Sequence, residues 1–332
     1  MKRTTIKDIA KLTGLSISTI SRALKGHPDI SKATQEKVRE VAEAMGYKPN
    51  LGARSLRTQS SKLIGVILPK ADTFFFPEVL EGISEVVGRN GYSFIFLQSE
   101  NSFKKEEELL DLCLQMPVEG ILISLSVETE NVVHLQKLRS NNIPVVLIDR
   151  LFTNSTFPCV NINDTAVSFS AVDFLIKKGH QRILGIFDDP RLEMSNLREK
   201  GYRDAFKANR ISFHEKWVVK IPEGRNIDQV VAQLLEANKG ATAIFTMSDK
   251  MLVQVYHVLA NQGLSIPDDI ALMSISDGKA PYYFYPNITH MRHSGAEVGS
   301  TSATLLFNCI NGSSFDGHYH YIQAPLYDLG SV

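Results

Sequence analysis

The segment from position 17 to 22 contains side chains suited to reading the edges of DNA bases. At about 100° of rotation per residue in a helix, Ile17, Ser18, Ser21 and Arg22 lie on one arc. The Arg22 guanidinium has the reach and the fork geometry for O6 and N7 of guanine. Ile17 suits a thymine methyl group, and the Ser18 hydroxyl suits either kind of base edge. Because these side chains are mostly short, the helix backbone could approach the floor of a groove closely.

Two short helices joined by a tight turn are expected to present this arc. Thr5 and Ser16 are suitable N-caps, and Gly14 permits the turn between the helices. The positions predicted to bury one face of the first helix are Ile6, Ile9, Ala10 and Leu12. The positions of the second helix that would pack on it are Ile20, Ala23 and Leu24. The alternative is an ordinary amphipathic helix pair with a solvated serine face.

A third helix is predicted from Ser31, as its cap, to about Met45, and Gly46 ends it. Its inner side is expected to comprise Ala33, Val38, Val41, Ala42 and Met45.

The charge of the chain is divided between a basic head and an acidic body. Residues 1–60 contain 12 Lys and Arg against 5 Asp and Glu, a net charge of +7. The whole chain has 36 of each, so residues 61–332 have a net charge of −7. A basic head favours contact with phosphates and an acidic body does not, so DNA should engage the N-terminal part only.

A short helix after Pro49 is a candidate switch. Asn50 can cap it, and residues 51–57 are too few for a helix that is stable alone. Ala53 and Leu56 lie three apart on one face, and arginines flank Leu56. The functional interpretation is a minor-groove wedge at Leu56. The alternative is a frayed linker with one stray leucine.

From Lys62 onward, short β-rich runs alternate with helical patterns, which predicts parallel sheets with helices on both faces. Strands are predicted at residues 63–68, 92–98, 120–125, 144–149, 182–188, 243–247, 270–276, 288–292 and 318–323. Helices are predicted near 75–89, 103–115, 129–141, 164–178, 195–209, 227–238, 249–262 and 294–310. The repeat of the pattern indicates two similar subdomains.

Several classes of protein find no support in the sequence. The N-terminus has no apolar signal segment, and no apolar run is long enough to span a bilayer. Three isolated cysteines fit a reducing cytoplasm. No glycine-rich nucleotide motif, nucleophile elbow or metal-binding spacing is found, so neither a cofactor nor enzymatic activity is expected. His318 and His320 alternate along a predicted edge strand and are not expected to bind metal.

The chain resembles the LacI/GalR family of bacterial transcriptional regulators over essentially its whole length. The most specific matching segments are 5–10, 16–24 and 46–50; further matches include 75–76, 149–150, 179–183, 198–202 and 248–249. The resemblance implies an all-α helix-turn-helix domain at residues 1–49, a hinge helix and linker at 50–61, and a core at 62–332. That core would resemble periplasmic binding proteins, with two Rossmann-like subdomains: about 62–160 plus 290–323, and about 161–289 plus 324–332.

The resemblance also implies partners and site residues. A homodimer would bind a pseudo-palindromic double-stranded operator, with bases read at Ile17, Ser18 and Arg22. Ala53 and Leu56 would lie in the minor groove. The positions that would contact phosphates are Ser16, Thr19, Ser21, Ser31 and Thr34.

A small effector is expected in the cleft between the subdomains. By position, Phe75 would stack on it, Asp149 would accept hydroxyls, and Arg198 would be a bidentate anchor. The alternatives are a loop cap at Asp149 and a surface location for Arg198. The chain departs from the family pattern at Ser248, at Ser276 before Asp277, and at His293. A sugar or sugar derivative is expected, but these departures mean that an ordinary hexose cannot be assumed.

The sequence therefore predicts a ligand-responsive DNA-binding regulator, with repression of carbon-source genes as the leading hypothesis. A solute-binding component of a transporter is the alternative; it explains residues 62–332 but not the basic head. Activation in place of repression stays open, because operator position decides it.

Overall fold

The computed structural model describes residues 4–47, 60–71, 74–150, 152, 155–313 and 319–332. The chain separates into two compact units, Met1–Ser61 and Lys62–Val332. The hinge helix predicted at residues 50–57, including Ala53 and Leu56, lies outside the described residues.

The described part of the first unit contains three helices, α1 (Ile6–Thr13), α2 (Ile17–Leu24) and α3 (Lys32–Ala44). Their shared core consists of Ile9, Ile20, Ala23, Val38 and Ala42. Leu12 is 68% exposed, so its predicted burial is wrong. At about 100° per residue it lies roughly 110° from the centre of the arc formed by Ile6, Ile9, Ala10 and Thr13. Ala33, in the first turn of α3, is also exposed and not internal.

Polar caps fix where these helices begin. The Thr5 N–H donates to the Asp8 carboxylate at 2.8 Å, which completes a capping box at α1. Gly14 ends α1 with a φ of 72°, a left-handed conformation in which a residue with a Cβ is strained. The Ser16 hydroxyl accepts from the Thr19 N–H at the start of α2. Ser31 does the same for α3.

The second unit is built on two six-stranded sheets, each belonging to one lobe. The first sheet contains β1 (Leu63–Leu68), β2 (Ser93–Gln98), β3 (Gly120–Ile123), β4 (Val145–Ile148), β5 (Cys159–Asn161) and, late in the chain, β11 (Tyr319–Tyr321). Their order is β11-β5-β4-β3-β1-β2, and all pairs are parallel. The helices of the first half are α4 (Phe75–Arg89), α5 (Phe103–Gln115) and α6 (Gln136–Ser140).

The second sheet contains β6 (Ile183–Phe187), β7 (Val218–Lys220), β8 (Ala243–Thr246), β9 (Ala271–Ser276), β10 (Thr289–Arg292) and β12 (Leu326–Tyr327). Their order is β12-β10-β9-β8-β6-β7, with only β12 antiparallel to its neighbour. The remaining helices are α7 (Asp164–Lys177), α8 (Glu193–Ala208), α9 (Ile227–Ala237), α10 (Asp249–Asn261) and α11 (Gly295–Ile310). Short 3-10 turns lie at Val133–Leu135, Glu215–Trp217 and Ala280–Tyr283.

The chain crosses between the lobes three times. It leaves the first sheet after β5, returns after β10 into α11 and β11, and leaves again to end in β12. The expectation that residues 290–292 belong to the first subdomain is wrong, because β10 pairs with β9 in the second sheet. The crossover therefore falls at His293 and Ser294.

Other differences from the predicted elements are local. Only the second half of the helix predicted at 129–141 forms, as a 3-10 turn followed by α6. Strands β5 and β7 have three residues each, too few to show a periodic pattern. Trp217 is buried against Phe206 and Phe213 and is a packing residue. No helix within the described segments is long and apolar enough to cross a membrane.

Glycines allow one helix pair in each lobe to pack with backbones in contact. A Cβ on Gly82 of α4 would lie 2.1 Å from the carbonyl oxygen of Ala296 in α11. In the second lobe, a Cβ on Gly201 of α8 would lie 2.1 Å from the carbonyl oxygen of Thr165 in α7. Each lobe is therefore braced by a tightly packed helix pair beside its sheet.

Candidate functional site

The predicted base-reading arc of α2 faces solvent. Ile17 is 45% exposed, the Arg22 side chain is 58% exposed, and Ser18 is exposed as well. On the opposite side, Ile20 and Ala23 are buried in the core of the first unit. The helix therefore buries its apolar side and presents to solvent the side chains predicted to read bases.

The contacts described for Arg22 and Ser18 are weak enough to be exchanged for contacts with DNA. One terminal nitrogen of Arg22 lies 4.0 Å from the Asp29 carboxylate, and both side chains are mostly exposed. Such a pair contributes little to stability, so Arg22 can leave it for a base or a phosphate. The Ser18 hydroxyl lies 2.8 Å from the Ser16 hydroxyl, a contact that a stronger polar partner can replace.

The five side chains predicted to contact phosphates lie on or at the start of α2 and α3. Ser16 and Ser31 are exposed caps, while Thr19, Ser21 and Thr34 are half-buried. The first turns of both helices contain no acidic residue that would repel a phosphate. Helix N-termini present N–H groups and a positive dipole end, which favours phosphate oxygens there.

The second unit has a cleft of about 360 Å³ between its lobes, at the carboxyl ends of both sheets. All seven residues predicted to bind ligand line it: Phe75, Asp149, Arg198, Ser248, Ser276, Asp277 and His293. Each follows a strand or lies on a helix that begins near the cleft, which is where open α/β sheets bind ligands.

Arg198 is the most firmly held cation in the cleft. It is 2% exposed, so it is not a surface residue. Its Nε donates to Asp164 at 2.7 Å and its Nη1 donates to the Met247 carbonyl at 2.5 Å. Nη2 has no hydrogen-bond partner within the described part of the chain. Because Nε and Nη1 are already bonded, a bidentate anchor at Arg198 would combine the unpaired Nη2 with the second N–H of Nη1.

Asp149 and His293 form one wall with Phe75. Asp149 has a φ of 61°, a left-handed conformation held at the end of β4, and it is 5% exposed. Burial, opposed by Arg198, raises the pKa of Asp149 to about 6. Burial and the Arg198 charge lower the pKa of His293 well below its usual value. His293 is therefore neutral, and its 3.7 Å approach to Asp149 is not an ion pair. Its ring centroid lies 4.6 Å from that of Phe75.

Asp249 and Asp277 form a buried carboxyl pair on the opposite lobe. The Asp277 N–H donates to Asp249 at 2.9 Å, while the Asp277 carboxylate accepts from the N–H of Lys279 at 2.8 Å. Burial, followed by repulsion from Asp277, raises the pKa of Asp249 to about 7. Asp249 is therefore partly protonated near neutral pH.

The two serines that depart from the family pattern differ in availability. The Ser276 hydroxyl accepts from the Gly278 N–H at 3.1 Å and bonds the Asp249 carboxylate. It lines the cleft, but it is already committed within the second lobe. The Ser248 hydroxyl has no hydrogen-bond partner among the described residues and does not cap α10.

Sequence reasoning missed several cleft residues because their roles depend on contacts across the fold. Lys250 pairs with Asp188 at 3.2 Å. Asn101 bonds both Arg150 and Glu223. Apolar residues of the second lobe complete the wall: Leu192, Met194, Ile221, Pro222, Ile227, Met247 and Ile275. The signal that could have found Asn101 is its position shortly after β2, a predicted strand, because parallel strands end at the cleft. Glu223 follows β7, which is too short to be predicted from the sequence.

No group of three or more His, Cys, Asp or Glu side chains with metal-binding geometry exists among the residues the structure describes.

Comparison with known proteins matches each unit separately. Residues 5–50 match the family model "Bacterial regulatory proteins, lacI family". Residues 172–331 match the model "Periplasmic binding protein-like domain". Together the two matches cover more than half of the chain.

Individual relatives match nearly the full length. Catabolite control protein A of Priestia megaterium is 28% identical over 325 residues, 97% of this chain and 96% of the relative. The HTH-type transcriptional repressor PurR of Vibrio campbellii is 29% identical over 327 residues, with the same coverage of each chain.

Solved structures show the same fold. The Lac repressor bound to ONPG in its repressed state superimposes with a TM-score of 0.86 at 20% identity and covers 100% of both chains. The complex of the regulator CelR with cellobiose gives a TM-score of 0.73 at 23% identity, covering 99% of this chain and 100% of that one.

The head, the two-lobed core and these matches agree. The chain contains a helix-turn-helix domain of the LacI family and a periplasmic-binding-protein-like domain, and it is a ligand-responsive DNA-binding transcriptional regulator, not an enzyme.

Proposed function

We propose that the protein is a repressor of carbon-source genes, controlled by a small polyhydroxylated effector, and that it binds a pseudo-palindromic operator as a homodimer. Relatives with repressor names, such as PurR, match more than nine-tenths of the chain and support this role. A protein acting on chromosomal DNA would work in the cytoplasm. A transporter component is not favoured, because it would have no use for the exposed helix-turn-helix head.

The observation that supports an effector is a set of buried polar atoms around the cleft. Six of them have no hydrogen-bond partner among the described residues: Asp149 Oδ1, Arg198 Nη2, Ser248 Oγ, Asp249 Oδ1, Asp277 Oδ2 and His293 Nε2. Buried polar groups are normally paired, so a ligand that supplies partners would relieve a substantial cost. The atoms come from both lobes, so such a ligand would favour lobe closure.

The chemistry of these atoms favours a neutral donor-rich ligand. Three of the six are carboxylate oxygens, which accept hydrogen bonds from hydroxyl groups. Arg198 is already balanced by Asp164, so it does not offer an uncompensated charge to an anion. Phe75 and the neutral ring of His293 offer an apolar surface for the C–H face of a sugar ring. A sugar or sugar derivative fits this combination better than a phosphorylated compound does.

Control of DNA binding requires that the effector has different affinities for two states of the core. We propose that lobe closure alters the hinge at residues 50–57 and so the insertion of Leu56, with Ala53, into the central minor-groove step. This assigns to the hinge the role expected from the sequence.

Exposed aromatic side chains support a homodimer. Phe74 of the first lobe and Tyr283 of the second have ring centroids 6.1 Å apart. Tyr283 is 71% exposed and the nearby Tyr285 is 91% exposed. Exposed aromatic patches of this kind mark interaction surfaces.

A thermal-shift screen of the full chain tests the effector class. Neutral sugars and amino sugars would be compared with sugar phosphates and sugar acids, followed by calorimetry on any compound that raises the melting temperature. The proposal expects binding from the neutral or donor-rich set. Binding restricted to sugar phosphates or acids would contradict it.

A further inference from the structure

Two polar contacts between the lobes, Asn101–Glu223 and Lys279–Glu78, differ in distance from the crossovers. All three crossovers leave or enter β5, β10, β11 or β12, which lie together at one end of the two sheets. β2 and β7 are the edge strands at the opposite ends of their sheets. The loops after β2 and β7 therefore lie at the mouth of the cleft, where rotation of one lobe about the crossovers produces the largest displacement.

One side-chain hydrogen bond joins the lobes at this mouth. Nδ2 of Asn101, in the loop after β2, donates to Oε1 of Glu223, in the loop after β7, at 3.1 Å. Oδ1 of Asn101 accepts from Nη1 of Arg150 at 2.7 Å, and the same nitrogen donates to the Leu125 carbonyl at 2.9 Å. Asn101 is therefore held from the first lobe while it reaches the second.

The backbone at Asn101 is unusual in a way that fixes this reach. Glu100 and Asn101 have φ values of 52° and 60°, two successive non-glycine residues in the left-handed region. Such conformations are unfavourable for residues with a Cβ, and they persist where a specific arrangement requires them. Here the arrangement directs the Asn101 amide across the cleft.

A second contact joins the lobes near the crossovers. Lys279, in the loop after β9, forms an ion pair with Glu78 of α4. A Cβ on Gly295 would lie 2.8 Å from Cβ of Glu78, which places this contact beside the start of α11, two residues after the His293 crossover. Rotation about the crossovers displaces this point less than it displaces the mouth.

We propose that Asn101 is a latch: its bonds to Arg150 and Glu223 hold the mouth of the cleft closed, and the bond to Glu223 breaks when the lobes open. Asn101 thus sets the open-to-closed ratio of the core without touching the unpaired atoms at the cleft floor. This inference rests on the proposed function, because the latch would regulate closure of the same cleft. The latch itself can be measured without effector or DNA.

Pulsed electron paramagnetic resonance on the full chain tests the latch. Spin labels at Glu108→Cys on α5 and Gln233→Cys on α9 report the distance between helices that follow β2 and β7; both positions are exposed. Cys309→Ser removes the one cysteine that is not buried. Labelled chain is diluted with excess unlabelled chain so that only distances within one chain are read.

Asn101→Gly removes the amide and retains access to positive φ, so it should fold normally. It is expected to raise the population at long distances roughly three- to tenfold, as loss of one solvent-exposed hydrogen bond implies. Asn142→Gly is the matched control, because Asn142 also has a positive φ of 57° in the first lobe but is exposed away from the cleft lining. It should leave the distance distribution unchanged.

Glu223→Ala removes the other partner of the same bond. It should lengthen the distance as Asn101→Gly does, and the double variant should show no further increase. Unchanged distances in Asn101→Gly and Glu223→Ala would overturn the latch, as would an equal change in Asn142→Gly. Either result would leave the effector and DNA proposals standing, because neither depends on this bond.

Discussion

The guanidinium of Arg198 and the carboxylate of Asp164 form an ion pair that is almost completely buried, with Nε 2.7 Å from Oδ1. The pair joins α8 to the start of α7 and fixes the direction in which Nη2 enters the cleft. Desolvation raises the pKa of Asp164, and Arg198 opposes that rise. The position of this cleft-lining guanidinium thus depends on a charge balance inside the second lobe.

Replacing Arg198 with methionine should destabilise the core strongly, because it leaves Asp164 buried without its cation. A loss of about 3–5 kcal/mol is expected for breaking one side of a buried pair. Arg203→Met is the control on the same helix, since Arg203 pairs with the exposed Glu215 and with Glu199. It should cost about 1 kcal/mol or less. Urea unfolding of both variants measures the difference, and equal losses would contradict the assignment.

Asp249 should make the stability of the core depend on pH. Its pKa is raised from 3.8 to about 7, so the folded state binds a proton that the unfolded state has lost. The stability associated with this group is full below about pH 4 and is lost as the pH rises through about 7. Asp249→Asn should therefore gain stability relative to the parent between pH 5 and pH 8. Thermal unfolding across this range checks the sign, and a constant difference would refute it.

Two glycines of α4 should respond to alanine in opposite directions. A Cβ on Gly82 would lie 2.1 Å from a backbone carbonyl of α11, while one on Gly88 would meet nothing within 4 Å. Gly82→Ala should force the helices apart and destabilise the core by roughly 2 kcal/mol or more. Gly88→Ala should stabilise it by about 0.5–1 kcal/mol, through helix propensity. Circular dichroism melts of the two variants provide the measurement; destabilisation of equal size would argue against backbone packing at Gly82.

Most helices of both units lie close to their predicted positions, because N-caps and helical periodicity are local features of the sequence. Ser16 and Ser31 are followed by α2 and α3, and α4 and α5 have the predicted bounds. Leu12 and Ala33 were exceptions within the first unit, since the exposure of each depends on how the three helices meet. The strands β5 and β7 are stabilised by neighbours distant in sequence and leave no periodic signal of their own.

The seven ligand-binding residues expected from the family resemblance all line the cleft. Their hydrogen bonds could not be predicted from the sequence. Whether the Ser276 hydroxyl faces a ligand depends on Asp249 and Gly278, which only the fold brings together. The Asn101–Glu223 contact joins residues 122 positions apart. The crossover at His293 was misplaced because a strand of four residues can pair with either sheet equally well by pattern.

Arg22 should determine preference for one base pair. Arg22→Ala is expected to weaken specific binding by about 1–3 kcal/mol, or roughly 5- to 150-fold, and to relax discrimination at a single symmetric position. Lys25→Ala, one turn later, should weaken all duplexes similarly and lower the salt dependence. Selection from random duplexes followed by anisotropy titrations distinguishes the two. A uniform loss for Arg22→Ala would mean that it contacts only phosphate.

The central claim is that the cleft controls the DNA-binding head. Its most direct test is an anisotropy titration of selected operator DNA with the full chain, with and without a compound shown by calorimetry to bind the core. Coupling of about 1–3 kcal/mol is typical of such regulators and changes operator affinity roughly 5- to 150-fold. The account predicts a change of that size at saturating compound. Identical operator affinity with the cleft occupied and empty would contradict it.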